Sequence, residues 1–206
     1  MIIKVCGMRD SDNIRQIDTL EGLNWMGFIF YSPSSRNVEG VPDYLPQHCK
    51  RVGVFVNATP KEILRRQKEF GFDLIQLHGD ETPLFCKNLR PLLPAKTQLI
   101  KMIPITSAEE LAHTQPYESV VDYFLFETKC QGYGGSGQRF DWDILQHYHG
   151  QTPFLLTGGI KSTNSEKVRA FHHPQFVGID LNSGFEIAPA LKDPQRIQAF
   201  IHQIIH

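Results

Sequence analysis

The chain has 206 residues, 41% of them hydrophobic and 21% charged, with 21 Lys+Arg against 22 Asp+Glu and a formal charge of -1. This balance excludes a disordered tail, a collagen-like rod or a coiled coil, and weighs against a nucleic-acid binder, which needs basic surface to neutralise phosphates. No apolar run approaches the roughly 18 residues of a membrane span, and Met1 to Gly7 lacks the basic and apolar regions of a signal peptide.

Short continuous apolar runs alternate with segments of helical period. Ile2–Cys6 reads as a buried strand and Asp10–Leu20 as a helix with Ile14, Ile17 and Leu20 on one face. Trp25–Phe30 is the next strand, followed by a short helix near Pro42–Cys49. Arg51–Val56 reads as a strand, Pro60–Phe70 as a helix with proline at its first position, Leu74–Leu77 as a strand and Thr82–Leu89 as a helix. In the second half Leu99–Ile103 reads as a strand. Ser107–Thr114 follows as a helix whose Ser107 and Glu110 have the spacing of a capping box. Then come strand Val120–Phe126, helix Trp142–His147, strand Phe154–Leu156, helix Thr163–Phe171, strand Phe176–Leu181 and a closing helix Pro194–Ile205.

Eight strand–helix units with no linker between them point to an α/β chain forming a closed (β/α)8 TIM barrel, one domain over residues 1–206. A doubly wound open sheet competes, because periodicity alone does not reveal closure. Cys6, Cys49, Cys86 and Cys130 form no C-x-x-C pair, so the expectation is reduced thiols in the cytoplasm, without a zinc site or disulfides.

In such a barrel the site forms at the C-terminal strand ends. Those ends offer Cys6, Phe30 with Arg36 in the loop after it, Asn57, Gln76 with His78, Pro104, Glu127, Thr157 and Asp180. Cys6 is either inert core or a base whose thiol the local field lowers. Glu127, after an apolar run, is either a proton donor with a raised pKa or the partner of Lys101 or Lys129. Arg36 could clamp a carboxylate with its planar fork or simply be solvated. His78 is a base, a ligand-binding group or a structural histidine. Three glycine clusters follow late strands: Gly134, Gly135, Ser136 and Gly137; Gly158 and Gly159; and Ser183 and Gly184 after Asn182. They are tight turns or a phosphate cradle of backbone N–H groups.

These motifs, in this order, resemble the phosphoribosylanthranilate isomerase family along essentially the whole chain. The resemblance rests on Lys4-Val5-Cys6-Gly7, Phe28 to Arg36, Val54 to Asn57, Ile75 to Gly79, Gly134 to Gly137 with Phe140-Asp141-Trp142, Gly158-Gly159-Ile160, and Gly178 to Glu186. It implies a cofactor-free, metal-free aldose–ketose isomerase of tryptophan biosynthesis. Cys6 would be its general base and Glu127 its general acid, in place of the family's aspartate. Arg36, Gln76, His78 and Asp180 would bind substrate, and the glycine clusters with Asn182 and Ser183 would bind its phosphate. The expected partner is a phosphorylated small molecule, with no nucleic acid or membrane, and the chain a monomer or homodimer. Alternative readings are a catalytically impaired phosphate-binding barrel and the related aminoaldose isomerase of histidine biosynthesis. The second family typically has an aspartate where this chain has Cys6.

Overall fold

Buried, mostly β-branched, leucine and aromatic runs become the sheet in the computed structural model, which describes residues 1–128 and 142–205. The strands are β1 (Ile2–Cys6), β2 (Trp25–Phe30), β3 (Lys50–Phe55), β4 (Leu74–Leu77), β5 (Gln98–Ile105), β6 (Tyr123–Thr128), β7 (Phe154–Thr157) and β8 (Phe176–Leu181). Each pairs in parallel with its sequence neighbour, and β8 returns to pair with β1, so the sheet is a closed barrel and the open-sheet alternative falls. Strand alternation divides the apolar residues into two layers. Val52, Val54, Leu74, Leu125 and Leu155 fill the interior. Ile3, Phe28, Phe55, Phe124 and Phe126 belong to the larger outer layer, where they meet helix residues such as Ile14, Ile63 and Phe70.

The helices are α1 (Ser11–Asp18), α2 (Pro60–Phe70), α3 (Pro83–Leu89), α4 (Ser165–Ala170) and α5 (Pro194–Ile205). The starts of α1, α2 and α3 follow side-chain capping, which satisfies backbone donors left over in the first turn. Asp10 accepts from Asn13 N (2.8 Å), Thr59 from Glu62 N (3.2 Å) and Thr82 from Phe85 N (3.2 Å). Gly71 ends α2 in the left-handed region at φ 61°.

Several expectations need correction. Pro42–Cys49 is not a helix. Its N–H groups turn to the carboxylate of Asp18 at the end of α1, which accepts from Gln47 N (2.7 Å), His48 N (3.2 Å) and Cys49 N (3.0 Å), and from the Tyr44 hydroxyl (2.8 Å). The Pro46 carbonyl accepts from the Arg51 guanidinium at 3.1 and 2.9 Å. Side chains thus do what an i−4 ladder would have done, and the second strand has no helix after it. Ser107 makes no side-chain cap. Glu110 instead accepts from Thr106 N and Oγ1, and the segment is a 3-10 helix over Ala108–Tyr117 with Pro116 inside it. Trp142–His147 is likewise 3-10. β3 begins and ends one residue before its expected bounds, and β6 begins later and runs past Glu127 to Thr128. A small antiparallel pair, β9 (Glu186–Ala188) with β10 (Leu191–Lys192), was not expected at all.

The Asp18 collar has a pH signature. Burial raises its pKa, but the Gln47, Cys49 and His48 N–H groups and the Tyr44 hydroxyl outweigh burial and hold it below the usual carboxylate range. Its stabilisation is therefore full above the unfolded value of about 4 and is lost as pH falls through the lower folded value. Asp18→Asn should cost about 1–3 kcal/mol in urea unfolding at pH 7, with the gap to the parent narrowing in strong acid.

Candidate active site

The C-terminal strand ends surround a cavity of about 500 Å³, within the usual size of a small-molecule site. Cys6, Arg36, Gln76, His78, Glu127 and Asp180 all line it, as do Gly158, Gly159, Asn182, Ser183 and Gly184. Gly134, Gly135, Ser136 and Gly137, expected to hold phosphate, lie outside the described residues, as do Lys129, Cys130 and Phe140-Asp141. Among the described residues no group of three or more His, Cys, Asp or Glu is placed to hold a metal ion, and no helix is long and apolar enough to cross a membrane.

Barrel closure builds the first part of the site. β1 and β8 pair with Lys4 opposite Asp180, and Lys4 Nζ donates to Asp180 Oδ2 at 2.7 Å with both side chains buried. Burial opposes the Lys4 charge, yet Asp180 and Cys6 more than offset it and raise the ammonium above its ordinary value. Asp180 Oδ1 is buried with no hydrogen-bond partner among the described residues, and Asp180 lines the cavity. Cys6, two residues along the same strand face, is 3% exposed. The local field does not win there. Burial pushes the thiol up more than Lys4 and Lys192 pull it down.

Arg36 is not solvated. Its Nε and Nη2 donate to the two carboxylate oxygens of Glu186 at 2.7 and 2.5 Å, a forked pair. Glu186 Oε1 also accepts from Lys192 Nζ (2.6 Å) and Ala190 N (3.1 Å). Burial would raise Glu186, but Arg36 and Lys192 prevail and hold its carboxyl at about 2. Gly7 makes room for this arrangement. Its φ is +78°, and a Cβ there would lie 2.6 Å from Arg36 Cδ.

Across the cavity, Gln76 Nε2 lies 2.9 Å from His78 Nδ1. With the amide donating, Nδ1 accepts and the ring proton sits on Nε2, which faces Glu127 Oε2 at 3.8 Å. Lys101 is committed elsewhere: it pairs with buried Glu81 at 3.1 Å and donates to the Gly79 carbonyl at 2.5 Å. Glu81 in turn accepts from Asn57 N (2.8 Å) and Gly79 N (2.9 Å), so a buried ion pair fixes the turn beside His78. Glu127 has Pro104 and Thr157 opposite it on the two neighbouring strands.

On the remaining side, Gly158 and Gly159 have φ of 85° and 68°, a run of left-handed backbone that other residues adopt only with strain. The Ser183–Phe185 turn approaches so closely that a Cβ on Gly184 would lie 2.4 Å from the Ile160 carbonyl. Two loops rich in backbone N–H therefore meet at one edge of the cavity.

Comparison with known proteins places this geometry. The family model described as N-(5'phosphoribosyl)anthranilate (PRA) isomerase matches residues 3–203. The chain belongs to this isomerase family. The N-(5'-phosphoribosyl)anthranilate isomerase of Parabacteroides distasonis is 51% identical over 212 residues, covering 100% of this chain and 94% of the relative. That of Phocaeicola vulgatus is 52% identical over 204 residues, covering 99% and 98%. The crystal structure of phosphoribosyl anthranilate isomerase from Thermotoga maritima superposes with a TM-score of 0.80 at 26% identity, over 100% of this chain and 99% of that one.

Three charged residues that hold lining residues of this cavity escaped the sequence reading: Lys4 on Asp180, Glu186 on Arg36 and Lys192 on Asn182. Lys4 was legible, since a residue two before Cys6 on a strand faces the same way. The other two sit on β9 and β10, too short to show a period. Because burial raises the Cys6 thiol, its alkylation by iodoacetamide should be slow at pH 7 and should keep accelerating above pH 9, as followed by mass spectrometry of the residue 6 peptide.

Proposed function

We propose that this cavity converts N-(5'-phosphoribosyl)anthranilate to 1-(2-carboxyphenylamino)-1-deoxyribulose 5-phosphate, with Cys6 as base and Glu127 as acid. The observation that carries the reading is one cavity lined both by a buried thiol flanked by two lysines and by a carboxyl beside a histidine. Glu127 protonates the ring oxygen as the C1–O bond breaks, giving an iminium at C1. That electron sink acidifies the hydrogen on C2, which the Cys6 thiolate removes. The resulting enolamine loses its hydroxyl proton and gains one at C1, so atoms balance as an isomerisation. The thiol must lose its own proton first; burial and the Asp180 carboxylate oppose that loss, and the nearby positive charges of Lys4 and Lys192 favour it.

His78 orients Glu127, with Gln76 setting the histidine tautomer. Arg36 receives the anthranilate carboxylate. Asp180, which lines the cavity, faces the sugar. Gly158, Gly159, Asn182, Ser183 and Gly184 take the phosphate through backbone N–H groups and short polar side chains. Gly134 to Gly137 belong to the same phosphate seat in this reading. The whole chain acts as one domain, in the cytoplasm, as a monomer or homodimer.

Loss of substrate fluorescence, with no metal added, tests the assignment. Cys6→Ala and Cys6→Ser should lower kcat by about 10²–10⁴ while the amine made by reducing the product still binds within a few-fold. Glu127→Gln should lose turnover to a similar extent, and Glu127→Asp should keep it. A glutamine variant as active as its parent removes Glu127 from the mechanism, and no turnover by the parent leaves only a phosphate-binding barrel.

A further inference from the structure

An arginine already forked to a carboxylate is a poor receiver for a second one. Arg36 and Glu186 sum to zero charge, and an incoming carboxylate meets the one already bound. Lys192 changes that sum. Its side chain is 0% exposed, and its Nζ donates to Glu186 Oε1 (2.6 Å) and Asn182 Oδ1 (2.8 Å). Both bonds go to acceptors; burial lowers the ammonium pKa from its ordinary value, while the hydrogen bond and the charge of Glu186 favour the protonated form. Its backbone is pinned by Asn13, which accepts from Lys192 N and donates to Lys192 O, each at 2.8 Å. Burying a lysine is costly unless its charge is used, and an apolar side chain would fill the same space. With Lys192 the cluster carries one net positive charge, held against the cavity wall. Among the described residues the Nη1 group of Arg36 makes no hydrogen bond, so the guanidinium keeps donors for a ligand.

We propose that Lys192 is a specificity-determining positioning residue: by cancelling Glu186 it restores to Arg36 the positive charge that selects a substrate carrying a carboxylate on its aromatic amine. Glu186 is the rigid bracket, fixing the angle of the fork, and Lys192 the compensating charge. The inference rests on the reading of Arg36 as receiver of the anthranilate carboxylate.

Calorimetry with two ligands separates the possibilities: the amine made by reducing the product, and the same compound with phenyl in place of carboxyphenyl. Lys192→Gln should weaken the carboxylated ligand about tenfold or more and the phenyl ligand less than about twofold. The double variant Glu186→Gln with Lys192→Gln again carries one positive charge and should recover to within about threefold of the parent, a rescue that lost packing would not produce. Equal weakening of both ligands by Lys192→Gln, no weakening of either, or a double variant without recovery overturns the proposal. If Lys192→Gln does not fold, the double variant decides alone: a parent-like preference for the carboxylated ligand supports the proposal and its loss overturns it. Arg36→Met distinguishes the underlying reading. If it keeps the preference, Arg36 is not the receiver and the proposal falls with that reading. If it loses the preference while Lys192→Gln keeps it, only the role of Lys192 falls.

Discussion

The ion pair between Lys4 and Asp180 spans the seam where the last strand of the barrel meets the first. Its two charges are buried, so each depends on the other, and removing either partner of such a pair typically costs about 3–5 kcal/mol. The same pair lies beside the Cys6 thiol, and its aspartate lines the cavity. Closure of the sheet and construction of the site are therefore one event. An open sheet would leave a lysine and an aspartate buried at separate edges, each without its countercharge.

From that seam three charge clusters surround the site, beside the His78–Glu127 pair. Lys4 with Asp180 sits under the thiol, Arg36 with Glu186 and Lys192 at the hairpin, and Lys101 with Glu81 behind the histidine turn. Each is buried or partly buried and closed by hydrogen bonds, which keeps the groups rigid and their geometry preset. The barrel interior below them is apolar, filled by Val52, Val54, Leu74, Leu125 and Leu155. A polar floor on an apolar plug gives reacting groups a fixed, low-dielectric setting, where preset charges count for more than they would in water.

The strands were legible because buried parallel strands need apolar runs, and Ile2 to Cys6 or Phe176 to Leu181 can satisfy that need in only one way. Where polar side chains decide the backbone, legibility ends. Tyr44, Leu45 and Cys49 have helix-compatible spacing, but Asp18, some thirty residues earlier, takes the donors a helix would have used. Ser107 and Glu110 have cap spacing, yet the carboxylate turns to Thr106. In the site, strand-end residues such as Cys6, Gln76 and Asp180 could be placed from local sequence, since period and position suffice. The partnership of Arg36 with Glu186 joins residues 150 apart through a five-residue hairpin pair, and no local pattern carries it. The thiol's response to its surroundings was also beyond reach, because it depends on how deeply Cys6 is buried and on which cations face it.

The distribution of the site along the chain sets an order of assembly. During synthesis the thiol emerges well before Asp180, Glu186 and Lys192, which lie far downstream of it in the chain. A nascent chain with seven strands thus presents Lys4 without Asp180, its buried partner, and an arginine without its bracket. Until the eighth strand closes the barrel, the sheet leaves two unpaired strand edges for chaperones to guard.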